Sequence, residues 1–303
     1  MSDNFRAALL MILSMALFAL EDAFIKFLTL RMPISQILMT SGFLGALLFG
    51  LRMVRRGQRL WSRALLRPIF VIRNLGEAIG AVGFVAALAL GEMATAAAIL
   101  QLLPLTIMMG AALFLGEKVG WRRWVSVAVG FAGMLLILSP GTESFQPAAL
   151  WALLSVAALT LRDLATRRIA AEIPSDLLSA AAYASIVPAG ILMAVISGQQ
   201  PVNPGAVDWV YLAGMVLFGV TGYSALVTST RIGEAAAVAP FRYSRLAFAL
   251  IVAVVFFGER PGTVTLIGAA LIAASGCYAM WREARRRDPA PQPPDGMVRR
   301  GES

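Results

Sequence analysis

Ten apolar runs separated by short polar segments divide the chain, at residues 6–30, 34–52, 68–90, 94–115, 123–139, 147–169, 176–197, 208–231, 235–257 and 264–281. Even the shortest is long enough, at about 1.5 Å per helical residue, to cross a hydrocarbon core of about 30 Å. Within hydrocarbon a backbone must satisfy its own hydrogen bonds, and a helix does so inside one segment. The pattern therefore predicts an all-α integral membrane protein with ten transmembrane helices.

The runs form two matching sets. FLGEK (114–118) and FFGER (256–260) lie 142 residues apart, and the GE pairs at 91–92 and 233–234 repeat that spacing. At a spacing of 141, Ser14 aligns with Ser155, Leu20 with Leu161, Asp22 with Asp163, Lys26 with Arg167 and Pro33 with Pro174. The expected organisation is two five-helix repeats, residues 1–141 and 147–282, followed by a basic, proline-rich tail at 283–303, disordered and attracted to anionic lipid. Five is odd, so the second repeat enters the membrane from the opposite side. Inverted repeats of this kind are typical of secondary transporters, because two such halves can open a shared midplane site to either side in turn.

Charge sets the direction. Of 26 lysines and arginines, a cytoplasmic N-terminus places nineteen on the inner side, including the cluster Arg52, Arg55, Arg56, Arg59, Arg63 and Arg67. Only Arg31 and Arg260 fall outside, and five lie within spans. The positive-inside bias thus predicts cytoplasmic N- and C-termini. The net charge of +9 is accounted for by topology and implies no nucleic-acid partner. The expected partners are the lipid bilayer and a small-molecule substrate, and a monomer is compatible with this reading.

Composition closes most catalytic routes. The chain has no histidine and a single cysteine, Cys277, which excludes intrachain disulfides, His-based triads and HExxH zinc chemistry. No catalytic residue, metal or cofactor is expected, and the chain is not read as an enzyme.

The informative residues are the charges at membrane depth: Glu21, Asp22, Lys26, Arg73, Glu77, Arg162, Asp163, Arg242 and Arg245. A central charge costs roughly 2.5–3.5 kcal/mol on insertion, whereas a leucine, isoleucine or phenylalanine returns only about 0.3–0.6. These groups must be paired, off-centre or facing water. Asp22 and Lys26 are four apart on one helical face and are expected to pair. Asp163 and Arg167 repeat that spacing, which suggests one gating or helix-locking pair near each membrane face. Glu21 has no partner in its own helix and is the candidate for ion coupling.

Nearer the midplane, Asn74, Glu77, Gln101, Arg242, Tyr243 and Arg245, with Tyr223 as an aromatic wall, are the candidate substrate-binding residues. An intramembrane arginine faces a cavity or a counter-charge, so Arg242 and Arg245 suit a substrate carboxylate, and Glu77 suits an amine. The alternative is that Glu77 bridges one of the two arginines structurally. Gly76 and Gly80 form a GxxxG that permits close helix approach, and Pro104 and Pro240 remove helix hydrogen bonds. The GE turns at Glu92, Glu117, Glu234 and Glu259 are expected to cap the following helices or to pair with Lys118, Arg231 or Arg260.

The stretches 99–141, ILQLLPLTIMMGAALFLGEKVGWRRWVSVAVGFAGMLLILSPG, and 238–276, VAPFRYSRLAFALIVAVVFFGERPGTVTLIGAALIAASG, resemble the ends of the two EamA repeats of the drug/metabolite transporter superfamily. The resemblance covers roughly residues 6 to 281. It implies export of amino acids or other small metabolites across a bacterial inner membrane, with the YddG-type amino-acid exporters as the nearest likeness, or alternatively import of a flavin or S-adenosylmethionine. Small multidrug-resistance relatives carry a carboxylate in the middle of their first helix. Here that depth holds Ser14 and Met15, so their proton-exchange chemistry does not transfer directly.

Overall fold

The computed structural model describes residues 3–116, 119–139, 145–169, 173–232 and 238–286, apart from the side chains at 227, 230, 231, 239 and 283–286. Among these residues ten helical spans are long and apolar enough to cross a membrane. They are built from α1 (Asp3–Thr29), α2 (Ile34–Arg55), α3 (Pro68–Leu90), α4 (Met93–Leu100), α5 (Leu103–Phe114), α6 (Trp121–Leu138), α7 (Ala148–Arg167), α8 (Ser175–Ser197), α9 (Ala206–Ile232), α10 (Ser244–Phe257) and α11 (Thr263–Arg286). The last helix continues four residues past the expected boundary at 282, and the rest of the tail lies outside the described residues. Glu117, Lys118 and Glu234 lie outside them too, so the turns they were expected to cap are not described.

The fourth and ninth spans are not continuous α-helices. The fourth breaks between α4 and α5, where Gln101 and Leu102 donate to the carbonyls of Ala98 and Ile99 and Pro104 occupies the first turn of α5. The ninth opens with a 3₁₀ turn, Ala239–Tyr243, which contains Pro240. Proline has no N–H to donate and fits best in the first turn of a helix, where that N–H would have no partner. The two prolines are not equivalent in the repeat, yet the breaks they enforce fall at Gln101 and Tyr243, 142 residues apart.

Packing follows the same symmetry. Helix α1 packs against α9 and α7 against α3, so each first helix of one repeat lies on the third helix of the other; α2 pairs with α8 and α6 with α11. Ser14 Oγ donates to the Gly222 carbonyl at 2.7 Å, and its repeat partner Ser155 donates to the Gly80 carbonyl at 2.8 Å. Both serines are fully buried, and each hydroxyl finds an acceptor that hydrocarbon would not supply. The close approach requires glycine. A Cβ on Gly76 would sit 2.7 Å from the Ala158 carbonyl oxygen and 3.0 Å from the Arg162 amide nitrogen, backbone atoms that cannot give way. The two repeats therefore interlock.

Candidate functional site

The centre of the bundle holds a charge network that joins the repeats. Arg162 on α7 lies against Glu77 on α3, with Nη1 3.2 Å from Oε1, and also bridges its chain neighbour Asp163 at 2.8 Å. Arg73 reaches the same Glu77 carboxylate at 3.7 Å from one turn away, and donates to Asn74 Oδ1 at 2.9 Å and the Leu178 carbonyl at 3.0 Å. Glu77 is thus occupied by two guanidinium groups, neither of them Arg242 or Arg245. Asn74 orients Arg73, and its carbonyl accepts from Ser185 Oγ at 3.1 Å.

A second bridge also joins the repeats: Arg245 on α10 binds both oxygens of Asp22 on α1, at 2.9 and 2.8 Å. Its guanidinium also lies 5.4 Å from the Phe18 ring centroid and 5.6 Å from that of Phe84. This corrects the expected Asp22–Lys26 pair. The two side chains do share a helical face, but the turns and helix ends of the other repeat offer each a better partner. On α7, likewise, Asp163 is bridged by Arg162 rather than reserved for the residue one turn on.

Lys26 belongs to a separate group at the end of the bundle where α1, α3 and α10 terminate. Its Nζ lies 2.6 Å from Glu259 Oε1 and donates to the Gly91 carbonyl, the C-cap of α3, at 2.9 Å. Glu259 in turn accepts from the backbone N–H groups of Met93 at 2.7 Å and Ala94 at 2.9 Å, capping the first turn of α4. A carboxylate there satisfies orphan donors and complements the helix dipole. Both side chains are nearly enclosed, 12% and 9% exposed. The expectation that each GE glutamate caps the helix after it is therefore revised. Glu92 accepts from Thr95 Oγ1 at 3.2 Å, while the cap of α4 comes from the opposite repeat. At the same end, Arg31 is bound by Asp208, and Gln36 exchanges two hydrogen bonds with Val202.

The two helix breaks meet between these groups. Gln101 Nε2 donates to the Tyr243 carbonyl at 3.4 Å, so repeat-equivalent residues touch across the pseudo-twofold axis. Several buried donors here find no acceptor among the described residues: Tyr243 Oη, Arg245 Nε and Arg73 Nε. Arg242 makes no ion pair among them and stands within electrostatic range of Arg162 and Asp163. Tyr183 lies within range of Glu21, Glu77 and Tyr223. Phe49 is edge-on to Tyr223 and stacked on Tyr183, which completes an aromatic wall. Glu21 packs against Gly219 of α9 and is hydrogen-bonded to no described residue.

Two stretches covering most of the chain, residues 5–139 and 146–281, each match the EamA-like transporter family. The chain belongs to that family. This EamA-family transporter is 30% identical to a riboflavin transporter of Rhizobium johnstonii over 93% of its own length and 94% of the relative's. It is 26% identical to an S-adenosylmethionine uptake transporter of Rickettsia prowazekii over 90% and 92%, and 25% identical to a pseudopaline exporter of Pseudomonas aeruginosa over 90% and 95%. A solved crystal structure aligns over 92% of this chain and 99% of its own with a TM-score of 0.64 at 21% identity, a likeness of fold. The EamA-family transporter is accordingly a multi-pass protein of the bacterial inner membrane, of the drug/metabolite transporter type.

Spacing alone does not single out two residues central to the charge groups of this EamA-family transporter. Glu259 was grouped with three other GE turns, and only its position opposite α4 distinguishes it. Arg162 was counted among the charges at depth but not placed at their hub. Arg162 and Asp163 already balance in charge, so the sequence gives no sign that the guanidinium also reaches Glu77; that contact depends on α3 packing on α7.

Proposed function

We propose that this EamA-family transporter is a secondary carrier for a small metabolite with an α-amino-acid head, working by alternate opening of two inverted repeats. The observation that supports it most directly is a set of buried donors on α3, on α10 and in the turn that precedes α10. Tyr243 Oη, Arg245 Nε and Arg73 Nε lack described acceptors, and a buried donor left unmatched costs about 1–3 kcal/mol. A carboxylate reaching Arg242 and Arg245 Nε removes part of that cost. Amino acids remain the first choice. S-adenosylmethionine, named for one relative, carries the same head group, so a larger substrate would use the same donors. Riboflavin is the second reading. It is favoured by the relative that aligns at 30% identity over nearly the whole chain, but it offers no carboxylate.

With cytoplasmic termini, the Lys26–Glu259 group closes the outer end of the cavity, and Gln101 and Tyr243 mark its midplane. Glu21, next to the Asp22–Arg245 bridge and facing Tyr183, is the coupling candidate. Replacement by glutamine is expected to leave exchange intact while abolishing its response to an imposed pH gradient, and an unchanged response rejects the assignment.

The substrate reading is tested by counterflow in proteoliposomes with labelled neutral amino acids and S-adenosylmethionine. The expected result is uptake of at least one of them, reduced at least tenfold in Arg242→Gln and unaffected by excess riboflavin. Full flux in Arg242→Gln, or riboflavin as the only species moved, overturns the carboxylate reading.

A further inference from the structure

A cavity of about 610 Å³ lies away from the charged centre, between α5, α6 and α7. Its wall is almost wholly apolar, with Met109, Phe131, Met134 and Leu153 at its floor and Leu113 and Leu161 at its rim. The rim residues are exposed on the lipid-facing side of the bundle. Its two hydroxyls are already used: Thr106 and Thr160 share a hydrogen bond of 2.6 Å, and Thr160 also donates to the Val156 carbonyl at 2.7 Å. A site this apolar holds no ordered water, since a buried water requires several polar partners.

The cavity runs from Leu102 beside the midplane break to Phe114 at the end of α5. At about 1.5 Å per residue this is about 18 Å, close to the ~15 Å depth of one hydrocarbon leaflet. Arg168 stands at the far end, exposed, with Nη2 donating to the Phe114 carbonyl at 2.8 Å. A guanidinium has five N–H donors, so most of those on Arg168 remain for an anion at headgroup level.

The equivalent place in the other repeat carries different side chains. Arg168 aligns with Phe27 at the 141 spacing, and Phe114 with Phe256 at 142. There Phe27 lies 4.7 Å from Phe257, 5.2 Å from Tyr211 and 6.3 Å from Phe256, ring centroid to ring centroid, and the rings fill the space. The groove therefore depends on the particular side chains where α5, α6 and α7 meet and is not a necessity of the shared fold.

We propose that this groove is a lipid site: it holds one acyl chain of an anionic phospholipid of the leaflet at the Arg168 end, with the headgroup phosphate on Arg168. Length, apolarity and the one cation among the lining residues together define the occupant. The assignment is independent of which substrate the central cavity carries.

Native mass spectrometry of the full chain, released from detergent with added phosphatidylglycerol or phosphatidylcholine of identical chains, tests it. The expected result is a one-to-one adduct that prefers phosphatidylglycerol. Arg168→Gln is expected to lose that preference, and Ala157→Trp, which projects a ring into the groove, to lose both adducts at least tenfold. A phosphatidylglycerol with a photoreactive chain should label peptides within 102–115 and 153–165 of the unsubstituted protein, a readout that survives if either variant misfolds. Equal adducts in all three proteins, labelling elsewhere, or a dimer dissolved by Ala157→Trp would each overturn the proposal, the last in favour of self-association.

Discussion

Replacing Glu259 with alanine is expected to open one end of the cavity. In the intact chain its carboxylate binds Lys26 at 2.6 Å and the Met93 and Ala94 amides at 2.7 and 2.9 Å. Alanine leaves a nearly enclosed ammonium and two helix N–H groups without a partner. Breaking one side of a buried ion pair costs about 3–5 kcal/mol, and losing an N-terminal cap costs about 1 kcal/mol more. That penalty falls on the closed arrangement alone, because opening exposes the same groups to water. Cys277 is the only native cysteine, so a Cys277→Ser background with Ala97→Cys on α4 reports the opening. Ala97 is 4% exposed. A membrane-impermeant maleimide should label it at least tenfold faster in Glu259→Ala, and Lys26→Met should accelerate it less, since the cap of α4 survives. Equal rates in all three proteins would show that the group is not a closure.

The second large effect is expected at the Asp22–Arg245 bridge. Asp22 is 2% exposed, and both of its oxygens lie within 2.9 Å of one guanidinium nitrogen. Asp22→Ala should sharply reduce the folded fraction recovered from membranes, because it strands a cation at a depth where an arginine costs roughly 2.5–3.5 kcal/mol. Adding Arg245→Met removes the stranded charge, and replacing both members of a buried pair by apolar groups is often neutral. The double variant should therefore recover folded protein. Transport should stay lost, because Arg245 Nε is one of the donors proposed for the substrate. Recovery of both folding and flux would reduce the bridge to a structural role, and recovery of neither would show that other contacts dominate.

The reading of these charges shows where sequence reasoning stops. Spacing correctly placed Asp22 and Lys26 on one face, but the i to i+4 rule sees only one helix. The partners that win, Arg245 and Glu259, lie more than 200 residues away in sequence and arrive only when α10 is laid along α1. Glu77 was weighed as the counter-charge of Arg242 or Arg245, and it meets Arg162 and Arg73 instead, because α3 packs on α7. Gly76 and Gly80 were legible as a site of close approach, although their spacing did not name the helix that would approach.

The chain by itself determined the ten spans, the duplication, the inversion and the list of charges that hydrocarbon could not tolerate. These are properties of length, periodicity and transfer cost, which act locally along a chain. Which charge meets which, where Gln101 and Tyr243 touch, and which buried donors are left unmatched were decided only by tertiary structure. The physical reason is that an intramembrane charge takes the nearest good counter-charge in space, and for Asp22, Lys26 and Arg162 the interlocked repeats bring one from the other half of the chain.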